Sequence, residues 1–132
     1  MARGIFGVVG GLIAWFVIAT LGNLVLRYAW TSYAEVEKAM TFTLAMMVAR
    51  LLLGAISSLC AGLTVAWITK RNGLFAKVLA GILLVLFIPV HYALWHRFPP
   101  WYHLAFLATL VLMTWSGAML HRRDPDLLRR AP

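Results

Sequence analysis

Polar positions are so sparse along this chain that its charges mark off long apolar runs. The stretch "GIFGVVGGLIAWFVIATLGNLVL", from Gly4 to Leu26, carries no charge. A second block runs from Met40 to Thr69 and is broken only by Arg50, a third from Val78 to Trp95, and a fourth from Trp101 to Leu120. About 20 predominantly apolar residues, rising 1.5 Å each, suffice to cross a bilayer, and tilt accommodates the longer runs. Membrane strands would instead alternate over segments of about 10 residues. The pattern predicts an all-α polytopic membrane protein, a small helical bundle forming one domain over 1–132. Its four transmembrane helices are expected over about 4–27, 33–69, 74–96 and 100–121, with a basic tail at 122–132. The first run is too long for a signal h-region and no small-residue cleavage site follows it, so it reads as a retained helix.

Composition agrees with the pattern. The 132 residues are 63% hydrophobic and 12% charged, with a mean hydropathy of +0.86, against about 45–50% apolar and about 25% charged in a soluble domain. The single cysteine, Cys60, makes no intramolecular disulfide and belongs to no C-x-x-C pattern. It reads as a small packing residue.

Charge placement gives the expected orientation. With the N-terminus inside, Arg3, Lys70, Arg71, Lys77, Arg122, Arg123, Arg129 and Arg130 fall on the inner side, against Arg27, Lys38 and Arg97 outside and Arg50 within the second helix. The positive-inside bias puts both termini in the cytoplasm, and a bacterial inner membrane suits such a chain. The net charge of +8 then faces anionic headgroups. Nucleic acid is not an expected partner, because the basic residues flank spans and do not form a basic face on a soluble element.

The connections are short. Asn72 and Gly73 form a turn between helices two and three, and Pro99 and Pro100 open helix four, where a missing N–H costs nothing. Asp124-Pro125 should end that helix. The segment 27–43 is less ordinary. Ser32 and Glu35 have capping-box spacing, so helix two is expected to start near Tyr33 and to overshoot the bilayer. That apolar overshoot would lie in the interface, tilt, or cover another protein surface.

Small residues mark close helix packing. Gly7 and Gly11 stand four apart, as do Gly54, Ser58 and Gly62, and Arg50 continues the second row. This spacing lets helix backbones approach within one bundle, and it also suits self-association or docking onto another membrane protein.

Arg50 is the sharpest single residue. Counting back from Lys70 places it near the outer edge of the hydrocarbon, where an intramembrane arginine is least costly. Its structural role would be to pair with Glu35 or Glu37. Its functional role would be to hold a lipid phosphate or a carboxylate in the guanidinium fork. Depth arithmetic brings Arg27, Tyr28, Asn23, His91 and His103 into the same layer, with the two histidines only about 3 Å apart along the bundle axis. These six residues form the candidate ligand pocket.

His91 and His103 are also the only candidates for a metal or haem. They face one another across a hairpin whose helices pack about 8–10 Å apart, which leaves little room for a macrocycle. No zinc or metalloprotease spacing accompanies them, and no cofactor is predicted. On the packing view, His91 is a satisfied core residue, while His96 and His103 are wet. Trp30, Tyr33, Tyr92, Trp95, Trp101 and Tyr102 form an outer aromatic belt, with Trp67 and Trp115 towards the inner side.

No serine or cysteine nucleophile has an evident base, and the four acids, Glu35, Glu37, Asp124 and Asp126, all lie outside the apolar runs. The leading expectation is a non-enzymatic accessory subunit that binds another membrane protein or itself. The alternative is an outer-leaflet site, or a small transporter, for an anionic lipid or amphiphile using Arg50 and the nearby histidines. A haem- or metal-binding membrane protein is the third reading.

Overall fold

Every regular element among the described residues is a helix. The computed structural model describes residues 1–70 and 73–121. Arg71, Asn72 and the tail with Arg122, Arg123, Asp124-Pro125, Arg129 and Arg130 lie outside the described residues. The order is α1 (Ala2–Ala29), α2 (Tyr33–Ala39), α3 (Leu44–Ile68), α4 (Gly73–Ala93) and α5 (Pro100–Leu120). Helices α1, α3, α4 and α5 are each long and apolar enough to cross a membrane.

One expected helix, 33–69, is two. Met40 takes a left-handed conformation (φ 55°) and terminates α2. Thr43 then caps α3, its Oγ1 accepting from the Met46 amide at 3.3 Å. No glycine or proline marks the break, and the apolar run that begins at Met40 passes through it into α3, so hydropathy does not register it. The Ser32–Glu35 box is also corrected: Ser32 is the N-cap of α2, but its side chain makes no capping bond. Helix α4 ends at Ala93, three residues short of expectation, because hydrogen-bonded turns over Leu94 to Arg97 lead into Pro99 and Pro100.

Helix α3 is central, packed along α1 and along α5, while α4 leans mainly on α5. The contact faces are rows of residues four apart, the ridges by which helices interlock. On α1 the row is Gly7, Gly11, Trp15, Ala19, Asn23 and Arg27, and on α3 it is Arg50, Gly54, Ser58, Gly62 and Ala66. On α4 it is Leu79, Leu83, Phe87 and His91, and on α5 it is Tyr102, Phe106, Leu110, Thr114 and Ala118.

The glycines permit this approach. A methyl on Gly62 would strike the Thr114 carbonyl, and one on Gly117 the Leu59 carbonyl, so α3 and α5 touch backbone to backbone. Gly7 lies against Thr69, and Gly11 against Val65 and Leu79. Gly54 accepts the Phe106 ring edge. All five expected packing residues thus serve packing within the bundle, Ser58 through a bond to α1. Halfway along, the Trp15 indole donates to Ser58 Oγ at 2.9 Å and its ring meets Phe87 at 4.7 Å between centroids. Beyond this contact, towards the N-terminal end of α1, Ala61, Val65, Leu79 and Leu83 fill the core.

Candidate functional site

Each of the four packing rows ends, at the α2 end of the bundle, in a polar side chain: Arg27, Arg50, His91 and Tyr102. The helices that supply them are held together below by small residues and aromatic rings. At this end, polar atoms and a short cap take over.

The cap is α2. Glu37 accepts from Arg27 Nε at 2.6 Å through one oxygen and from Asn23 Nδ2 at 3.0 Å through the other. The Tyr33 hydroxyl donates to Asn23 Oδ1 at 3.0 Å and accepts from Arg50 Nη1 at 2.9 Å. Four side chains from α1 and α2 thereby reach the arginine of α3. Tyr33 is fully buried, and Phe42 stacks on Phe98 of the α4–α5 turn at 5.7 Å. Segment 33–43 therefore covers its own bundle.

Arg50 lies at the centre. Its Cζ sits 4.7 Å from the Phe42 ring centroid, and Glu37 Oε1 is 3.9 Å from its Nη1. The same carboxylate is already engaged by Arg27 at 2.6 Å. Two guanidiniums share this one carboxylate, which leaves one positive charge uncompensated among the described residues. The Arg50 Nε–H is buried without a hydrogen-bond partner. Among the groups of the cap, burial would raise the Glu37 carboxyl, but hydrogen bonds from Arg27 and Asn23 and the two positive charges hold it below its ordinary range. Burial raises the Tyr33 phenol, against the opposing charge of Arg50.

Between α1 and the other helices lies a cleft of about 310 Å³. Its polar part is formed by Thr20, Asn23, Arg27, Arg50 and Tyr102. Its deeper walls are Trp15, Ala19, Leu53, Phe87 and Phe106. A smaller chamber of about 80 Å³ shares Arg50, Phe87, Tyr102 and Phe106 with the cleft and adds His91, Met40 and Phe98. Arg50 borders both.

The histidines meet directly. His91 Nδ1 and His103 Nδ1 are 2.7 Å apart, and the rings are 7% and 0% exposed. His103 stacks on Trp95 with centroids 4.9 Å apart and 16° between planes, and its Nε2 is buried without a partner. Two nitrogens ligating one zinc at about 2.0–2.1 Å in tetrahedral geometry stand about 3.3 Å apart. The pair as placed bonds to itself and leaves no space for a metal or haem iron between the rings. Among the described residues, no three His, Cys, Asp or Glu side chains converge on a common point.

Of the six residues expected around one pocket, Asn23, Arg27 and Arg50 line the cleft and His91 lines the adjoining chamber. His103 stands behind His91 and is fully buried, not wet as expected. Tyr28 is 87% exposed and takes no part. Residues four apart share a helix face, whereas Tyr28 is turned about 100° from Arg27. Tyr33 and Tyr102 are bundle residues, 0% and 4% exposed, and do not belong to an interfacial belt. Glu37, not the exposed Glu35, is the partner of the arginines. The roles of Trp15, Phe87 and Phe106 had one available signal, their place in the four-residue rows. The chain matches no family model, no curated protein and no solved structure at the level that marks a relative.

Proposed function

We propose that this protein is a membrane-embedded binding protein for an amphiphile with an anionic headgroup, taken from the outer leaflet of a bacterial inner membrane. The carrying observation is the uncompensated charge at Arg50, placed where a polar rim gives way to apolar walls in one continuous cleft. A guanidinium suits phosphate and carboxylate oxygens, and the Asn23 and Tyr102 side chains supply neutral polar contacts beside it. The aromatic walls below match an acyl or isoprenoid chain, and pockets of this kind orient ligands with a few polar groups among apolar ones. The basic bias of the sequence supports an orientation with this end outside. The accessory-subunit reading rests on an apolar overshoot beyond the bilayer, and that segment packs on its own bundle, which favours the cleft as the functional feature.

Lysophosphatidylglycerol and lysophosphatidylcholine, offered to the purified full-length protein in a neutral detergent, test the proposal by native mass spectrometry. The anionic lipid should bind with at least tenfold preference, and Arg50→Gln should remove that preference while Arg97→Gln, on the exposed turn, retains it. Equal binding of the two lipids, or an unchanged preference in Arg50→Gln, overturns the proposal.

A further inference from the structure

We infer that the His91–His103 pair is a proton-binding site that fills when Arg50 takes up its anion, so that the ligand is bound together with a proton. The inference rests on the anionic-amphiphile reading above and adds to it the coupling of two sites.

The geometry restricts where protons sit. A 2.7 Å separation between two ring nitrogens requires one hydrogen between them. The neutral pair carries two N–H groups in all, one in the bridge and one on an Nε2. If His103 donates the bridge, its buried Nε2 is left as a bare acceptor; if His91 donates, that Nε2 is an orphaned donor. Orphaned buried donors are the rarer defect, so the neutral pair places Nε2–H on His91, the ring that lines the chamber beside Arg50. A third proton makes one ring cationic and leaves an N–H on both Nε2 atoms, and because that of His103 has no partner, the pair takes the proton up only when a charge nearby compensates it.

The surroundings favour that charge in one respect and oppose it in others. The Trp95 face stacked on His103 at 4.9 Å stabilises a cation, and Phe106 and Tyr102 complete an aromatic enclosure around His91. Burial of both rings opposes it first, and Arg50, across the small chamber, repels it as well. The titratable and charged groups nearest the pair are Arg50 from α3 and Tyr102 from α5, which line the chamber with His91; behind Arg50 stand Tyr33 and Glu37 from α2 and Arg27 from α1, and His96 and Arg97 are exposed on the turn. The only carboxylate among them, Glu37, is committed to Arg27 and Asn23. An anion on Arg50 offsets that repulsion, so each ligand favours the other, and the coupling is reciprocal. The bond changes balance: one proton moves from water to an imidazole nitrogen, the pair gains one positive charge, and the entering headgroup brings one negative charge.

Calorimetric titration of lysophosphatidylglycerol into the full-length protein in neutral detergent reads the coupling directly. Its phosphodiester stays ionised between pH 5 and 8, so a dependence of the heat on buffer ionisation enthalpy counts protons taken up by the protein. The wild type should take up as much as one proton per lipid, and affinity should tighten by up to about tenfold per unit fall in pH. Replacing both histidines (His91→Gln with His103→Gln) should leave binding to Arg50 in place but independent of pH, with no proton uptake. Binding without proton uptake in the wild type overturns the inference alone, as does undiminished uptake in the double variant. Absence of lipid binding at every pH overturns the anionic-amphiphile reading along with it.

Discussion

The hydroxyl of Tyr33, on a short helix outside the apolar spans, accepts a hydrogen bond from Arg50 Nη1 at 2.9 Å, seventeen positions along the chain. The same hydroxyl donates to Asn23 at 3.0 Å. One oxygen atom therefore joins α1, α2 and α3, and the ring that carries it is wholly buried.

Tyr33→Phe removes that oxygen and keeps the ring against Phe42. Both Arg50 and Asn23 then lose a partner in a partly buried setting, which costs about 1–3 kcal/mol. Thermal unfolding in detergent should show a lowered midpoint, and Tyr33→Leu, which also loses the ring contacts, should fall further.

Gly117 and Gly81 predict opposite signs for one substitution. A methyl at Gly117 meets the Leu59 carbonyl, whereas Gly81 has open space around it. Gly117→Ala should destabilise by about 1–3 kcal/mol, the cost of overpacking. Gly81→Ala should be neutral or gain about 0.5–1 kcal/mol from the better helix former. The two unfolding midpoints check this, and a Gly117→Ala midpoint at the wild-type value would contradict the backbone contact.

Lys70 follows α3 in the left-handed region, at φ 52°, and its side chain is exposed. That conformation at a helix end favours glycine. Lys70→Gly should therefore stabilise the protein by about 1 kcal/mol, and Lys70→Val should destabilise it. Parallel denaturation of the two variants provides the measurement.

Acidification should open the cap. The Glu37 carboxyl is held below its ordinary value in the folded protein, so its unfolded form binds a proton more readily. Its contribution is present in full above the unfolded carboxylate range and is lost as pH falls through the lower, folded value. Hydrogen exchange of the α2 amides should accelerate below that range in the wild type. In Glu37→Gln it should be fast throughout and lack the acid step.

The spans were legible because charge-free runs of bilayer length leave few alternatives, and Arg50 stood out for the same reason. The break at Met40–Thr43 was hidden because no glycine or proline marks it and the apolar run beginning at Met40 passes through it, while a threonine cap is a single-residue signal. Around the site, depth along the axis groups residues that rotation about each helix separates. Asn23 and Arg27 are four apart and reach the cleft together, and Tyr28, one residue on, points away. Burial of His103 was not legible. It depends on the turn folding Phe98 inwards and on Trp95 covering the ring, contacts that no local periodicity encodes.

The Trp15–Ser58 bond gives the cleft a floor, and the layer of Ala61, Val65, Leu79 and Leu83 lies beneath it. A solute that entered between the helices at the α2 end would therefore meet this floor before the far end of the bundle. Continuous conduction along the bundle would require the indole to swing out of its contacts with Ser58 and Phe87. As they stand, the contacts of Trp15 with Ser58 and Phe87 close the bundle between its two ends.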